Sequence, residues 1–181
     1  GLLNQEDVSD RRRGLDLMKR ARGVWLRKRA FFLIPLTDIW IAAETARSGD
    51  RDSAIPAMRA AVDELHQGYP VYGIWGTGVL VETLLERGAP GDVVEAGQAV
   101  DRLEAPGADD SSAIRDITLL RLRALLAHAR GDRIAYLDVV SRYRTMAKSL
   151  RFERHIAWAE AMSDGFTPPP YRAAASGCES R

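Results

Sequence analysis

The stretch from Arg123 to Ala147, RALLAHARGDRIAYLDVVSRYRTMA, constrains the fold more than any other. It reads as an apolar helix pattern, a Gly-Asp turn and a second helix pattern. Helices often end with a residue in the left-handed conformation just past the last turn, where glycine has no Cβ to clash, and Gly131 is placed for that role. Asp132 is then placed to accept hydrogen bonds from the first free amides of the next helix. Past the turn, Tyr136, Val139, Val140, Tyr143, Met146 and Leu150 fall on one helical face. Arg133, Asp138, Arg142, Arg144 and Lys148 fall mostly elsewhere, so this is the most amphipathic helix in the chain.

Fainter copies stand upstream. Gly49-Asp50 follows ETARS and precedes AIPAMRAAVDEL, and Gly88 to Asp92 follows VETLLER and precedes VVEAGQAVDRL. Asp50, Asp92 and Asp132 are 42 and then 40 positions apart. Four, eight and eleven residues beyond each Asp come Ala54, Met58 and Ala61, then Ala96, Val100 and Leu103, then Tyr136, Val140 and Tyr143. A period of about 40 residues is what two antiparallel helices and their turns occupy. The expected fold is therefore all-α, built of antiparallel helical-hairpin repeats as in a tetratricopeptide-like α-solenoid, with about eight helices. The plainer alternative is an all-α protein that merely ends helices with Gly and starts them with Asp.

With 181 residues, 46% of them hydrophobic, the chain suits one ordinary domain or a short array. The single cysteine, Cys178, rules out a disulfide or a Cys-based zinc site within one chain, which fits a reducing cytoplasm. The run FFLIPLTDIWIAA is broken by Pro35 and Asp38 and falls short of the ~20 apolar residues of a membrane span. A soluble cytoplasmic location is expected.

The net charge of +1 hides an asymmetry. Residues 11–29 hold nine basic side chains (Arg11, Arg12, Arg13, Lys19, Arg20, Arg22, Arg27, Lys28, Arg29) against Asp16, a local +8 that leaves −7 for the remainder. Such a segment could attract nucleic acid or an anionic membrane surface. Leu15, Met18, Ala21, Trp25 and Leu26 recur within it at near-helical spacing, so it also reads as an amphipathic first helix with a basic outer face. Residues 1–30 are assigned as a basic N-terminal helix or linker, 31–163 as the repeats, and 164–181, rich in Pro, Ser and Gly, as a disordered or loosely docked tail.

Within the repeats, residues 31–48 read as a helix with Phe32, Leu36, Ile39, Trp40 and Ala43 inward and Pro35 in its first turn. Residues 53–66 are its partner, through Ile55, Met58, Val62 and Leu65. HQGYPVYGIWGTGV is the least regular stretch before the tail. Its glycines match neither a dinucleotide fingerprint nor a P-loop and suit close helix packing instead. Its aromatics, Tyr69, Tyr72 and Trp75, are candidate binding anchors on a loop between repeats. Asp92 with Glu95 resembles a capping box for helix 93–104. After a connector in which Ser111 or Ser112 is ready to cap, helix 113–130 is apolar on most sides and expected to be sandwiched. Arg123 on its polar stripe is a further candidate anchor. Helix 153–163 closes the array.

No catalytic constellation emerges. His66, His128 and His155 are isolated, with no His-Glu-x-x-His, and His155 beside Glu153 and Glu160 reads as helix-surface chemistry. No metal ligand set, cofactor or catalytic residue is assigned, and the chain is not expected to be an enzyme on its own.

The segment Tyr143 to Met162, YRTMAKSLRFERHIAWAEAM, with ALLAHARGD at Ala124 to Asp132, resembles the C-terminal end of large actinobacterial regulators. These join a class III adenylate or guanylate cyclase domain, or a LuxR-type DNA-binding domain, to an AAA-type ATPase and a tetratricopeptide-like region. The resemblance implies a non-catalytic helical module, covering about Phe31 to Met162, that receives a signal or docks onto partner domains. One departure is Arg151, where the resemblance calls for glycine, so the left-handed end of that helix is put in question. The leading expectation is a scaffold that binds protein, either other domains of a parent chain or an identical chain. A small-ligand sensor is the second reading, and nucleic-acid or anionic-surface binding through residues 11–29 the third.

Overall fold

The computed structural model describes residues 8–105 and 112–163, so the tail from residue 164 and most of the connector before Ser112 lie outside the described residues. Among the described residues the chain is all-α, with no strand. The eight helices run in order: α1 (Val8–Arg27), α2 (Leu33–Arg47), α3 (Arg51–Gly68), α4 (Pro70–Arg87), α5 (Asp92–Glu104), α6 (Ala113–Ala129), α7 (Arg133–Leu150) and α8 (Glu153–Ser163). Within the units, short turns join most neighbours, and α1 packs on α2, α2 on α3, α5 on α6, α6 on α7 and α7 on α8, as helical hairpins require. The described residues fall into two compact units, 8–76 and 77–163, and α4 contributes to both.

The Gly-Asp turns are built as their chemistry demands. Gly131 has φ 73, its amide bonds back to the His128 carbonyl, and the Asp132 amide bonds to the Ala127 carbonyl. The Asp132 carboxylate then accepts from the Ala135 amide at 3.0 Å. Two residues thus satisfy the end of one helix and the start of the next. Gly49 and Asp50 repeat this arrangement, with Asp50 accepting from Ser53. Arg151 makes the same pair of back-bonds at φ 55, and Arg29 does so at φ 58. The turn at Arg151 is therefore kept without its glycine, at the cost of a Cβ in the left-handed region.

The third copy is built differently. Gly91, at φ 94, stands at the N-cap of α5, and no side chain caps that helix. Asp92 is buried inside its first turn, where it accepts from Arg87 at 2.9 and 2.6 Å and from the Ala89 amide at 2.8 Å. The expected capping box of Asp92 and Glu95 is thus replaced by an ion pair that ties the turn to the end of α4. The repeat register itself holds in all three copies. Ala54, Met58, Ala61, Ala96, Val100, Leu103, Val140 and Tyr143 are all buried, and Tyr136 is half-buried.

In the first unit, α2 contacts both α1 and α3. A helix with two covered sides has no single apolar stripe, and the buried set is Ile34, Pro35, Thr37, Ile39, Ala42, Glu44 and Ala46. Of the residues expected inward, only Ile39 is buried; Phe32 is exposed, and Leu36, Trp40 and Ala43 are half-buried. On α3, Ile55, Met58, Val62 and Leu65 are buried as expected. The stretch expected to be irregular is helical. Pro70 occupies the first position of α4, where its missing amide is harmless and its fixed φ suits a helix. Tyr69 alone, with φ −146, separates α3 from α4. Gly76 lets the helices meet: a Cβ there would lie 3.3 Å from both Leu65 and Val62.

In the second unit α6 is the central element, contacting α5 and α7, while α8 packs on α7. Ser112 caps α6 through the Arg115 amide. Ile117, Leu119, Leu122 and the run from Ala124 to Ala127 are buried, so the helix is sandwiched as its composition suggests, although Ile114 is exposed. Two substitutions test the turn chemistry by urea unfolding. Arg151→Gly should raise stability by about 0.5–1 kcal/mol, since relief of left-handed strain outweighs glycine's added unfolded-state entropy. Asp132→Ala should lower it by about 1 kcal/mol through loss of the cap.

Candidate functional site

The candidate anchors divide between the two units. In the first, Tyr69 and Tyr72 are exposed and sit at the α3–α4 junction. The Tyr69 ring lies 6.0 Å from Phe32, and Phe31 and Val71 beside them are exposed at 57% and 67%. Trp75 points elsewhere, half-buried against Trp40 with ring centroids 5.1 Å apart. Tyr69 thus meets Phe32, and Phe31, Val71 and Tyr72, their near neighbours in sequence, are exposed with them, while Trp75 braces α4 on α2. Phe32 was expected inward; it is exposed because it stands at the N-cap of α2, ahead of the helix's buried face.

The nine basic residues of the N-terminal segment do not form one surface. Arg22 turns inward and grips Asp38 of α2 with two hydrogen bonds of 2.5 and 3.0 Å, and the bond with Asp38 raises the pKa of its guanidinium. Arg11 lies 3.7 Å from Glu44, a buried acid that also receives Arg47 at 2.5 Å. These contacts seat α1 on α2. Arg12, Arg13, Lys19, Arg20, Arg27, Lys28 and Arg29 are exposed.

Arg123, in the second unit, pairs with Glu104, whose carboxyl is held below its usual pKa by that bond. It is a half-exposed brace between α6 and the end of α5. The more unusual arginine is Arg121, the largest fully buried side chain, at 1% exposure. It forms an ion pair with buried Glu82 of α4, and its guanidinium lies 4.3 Å from the Trp158 ring centroid. His155 packs edge-on to Trp158 and shares a 2.7 Å hydrogen bond through Nδ1 with the Tyr143 hydroxyl. His155 is therefore part of an interior cluster and not the surface group that nearby Glu153 and Glu160 suggested. Burial, then the charges of Arg121 and Arg154, push its pKa down to about 4, so the ring is neutral at pH 7. Sequence held one signal for this cluster: an arginine amid the apolar run of α6, with an acid 39 residues earlier, about one repeat away.

Two clefts accompany these features. One of about 570 Å³ opens at the α6–α7 turn and the end of α8, lined by His128, Tyr136, Leu137 and Met162. The other, about 340 Å³, runs between α2 and α3 past Ala42, Ala54, Ala57 and Ala61, with the Arg22–Asp38 pair beside it. Among the described residues no three His, Cys, Asp or Glu side chains are grouped to hold a metal ion, and no helix is long and apolar enough to cross a membrane. Compared with protein-family models, with curated proteins and with solved structures, the chain matches none.

The interior cluster has two measurable consequences. Arg121→Met alone should cost about 3–5 kcal/mol, because it removes the cation that pairs with buried Glu82, whereas Arg121→Met with Glu82→Leu should recover most of that loss. His155 favours the neutral form when folded, so the unfolded chain binds more protons between its ordinary pKa of 6.5 and the folded value of about 4. Stability should fall by about 1–2 kcal/mol as pH drops through that window, less than for a fully buried ring because solvent screens its exposed edge. In His155→Phe that part of the pH dependence should vanish from urea titrations.

Proposed function

We propose that this chain is a non-catalytic helical-repeat module that binds protein, serving as the regulatory region of a larger signalling protein of the kind that residues 143–162 resemble. The observation that carries the reading is the aromatic surface at the α3–α4 junction, where Phe31, Phe32, Tyr69, Val71 and Tyr72 are all exposed. Contiguous exposed apolar side chains mark interaction sites, and aromatic anchors dominate the energetics of such sites. The surface is held on rigid elements, since Pro70 fixes the start of α4 and the Trp40–Trp75 contact braces it behind. A preformed aromatic surface loses little side-chain entropy on binding.

The partner is either a neighbouring domain of the parent chain or an identical chain, and both are tested by one variant. Phe32→Ser with Tyr72→Ser should leave the circular dichroism unchanged, because both side chains are exposed. Light scattering over a concentration series reads self-association, and titration with the neighbouring domains supplied in trans reads interdomain docking. Whichever is observed should weaken at least tenfold in the variant, in line with the loss of two aromatic anchors. Association unchanged by both substitutions would overturn the reading.

A further inference from the structure

Helix α1 has two faces with different duties. Its inner face, with buried Gly14 and half-buried Leu15, Met18, Ala21, Arg22 and Trp25, is the one that meets α2. On the outer face, Arg13, Leu17, Arg20, Val24 and Arg27 follow one another at steps of four, three, four and three, and all five are exposed. At 100° per residue they fall within an arc of roughly 80°. This is the spacing of a coiled-coil seam, with Leu17 and Val24 in one row and three arginines in the other. Within each row the side chains stand about 10 Å apart, seven residues at ~1.5 Å of rise.

We propose that this outer face is a docking seam for an acidic amphipathic helix, one that presents aliphatic and Asp or Glu side chains in alternation at seven-residue intervals. The aliphatic row decides between classes of partner. Leu17 and Val24 remain 50% and 38% exposed in the middle of the seam, and a phosphate backbone has nothing apolar with which to cover them. An interfacial membrane helix needs an unbroken apolar face, but here arginines interrupt the outer row and the inner face is already used by α2. A second copy is excluded by charge, since pairing this seam with itself in either direction sets arginine rows against each other. A partner helix of the stated pattern covers the aliphatic row and supplies a carboxylate to each guanidinium, whose fork suits carboxylate geometry. The arginines also reject wholly apolar or basic helices.

The inference rests on the reading of the chain as a protein-binding module but uses a face separate from the aromatic surface. Its test uses the whole 181-residue chain and a designed helical peptide of about three heptads, with Leu in one row and Glu in the other. Comparison probes are the same peptide with Lys for Glu, a short DNA duplex, and vesicles containing phosphatidylglycerol. The acidic peptide should bind at least tenfold more tightly than any of these. Arg20→Glu should weaken it at least tenfold and shift preference toward the Lys peptide, and Leu17→Ser with Val24→Ser should also weaken it at least tenfold. All three side chains are exposed, so the fold should persist by circular dichroism. Binding insensitive to these variants, or tighter binding to the duplex or the vesicles, would overturn the seam. Phe32→Ser with Tyr72→Ser should leave peptide binding intact, so a failure of the seam and a failure of the aromatic surface are read separately.

Discussion

Every helix end leaves backbone groups without partners, and in a chain made of helices joined by very short turns this requirement governs the rest. A turn of two residues has to finish one ladder and begin another. Gly131 with Asp132 and Gly49 with Asp50 do so by dividing the work: glycine takes the left-handed conformation, while aspartate donates its amide backwards and offers its carboxylate forwards. Because the turn is so short, the second helix folds back beside the first, and the residues four, eight and eleven places on are brought inward. The apolar pattern and the turn chemistry then agree, which is the consistency expected of a sequence that specifies one structure.

The second unit adds a constraint of another kind. Placing Arg121 in the interior removes a guanidinium from water, and the Glu82 carboxylate and the Trp158 face help to offset that loss. Apolar side chains tolerate small slips of one helix against another, whereas a buried ion pair does not. Glu82 on α4 and Arg121 on α6 are joined by this ion pair, which fixes the register of two helices separated in sequence by all of α5. The neutral His155 ring extends the same cluster to α8 and, through the Tyr143 hydroxyl, to α7. Four helices are thereby tied together by one polar cluster.

What could be read in the sequence follows from the range of the interactions. The Gly49-Asp50 and Gly131-Asp132 turns, the face of α7 and the buried positions of α3 depend on residues within one or two helical turns, and they are legible. The phase of α2 is not, because two neighbours cover it and its buried set includes Thr37 and Glu44, which no apolar pattern marks. The start of α4 was obscured by three glycines and a proline. In the fold, Pro70 begins a helix and Gly76 sits where Leu65 and Val62 approach most closely. Tyr69 and Tyr72 could be named as candidates from residue type alone, but the contact of Tyr69 with Phe32 needed the packing of α2 beside α3. Arg121 was hidden because its partner lies a whole repeat away.

The basic segment shows why a count of charges underdetermines function. Its nine cations look like one electrostatic feature, yet helical phase sends Arg11 and Arg22 toward Glu44 and Asp38 and leaves seven outward. The two that turn inward hold α1 in a fixed rotation, and that rotation aligns Arg13, Arg20 and Arg27 with Leu17 and Val24 on the open side. Had α1 been free to roll, the arginines would act as a diffuse positive field that any polyanion could satisfy. Held in place and interleaved with aliphatic side chains, they impose both a spacing and an apolar requirement on what they meet. An extended polyanion meets neither, while a second helix with acids at the same period meets both.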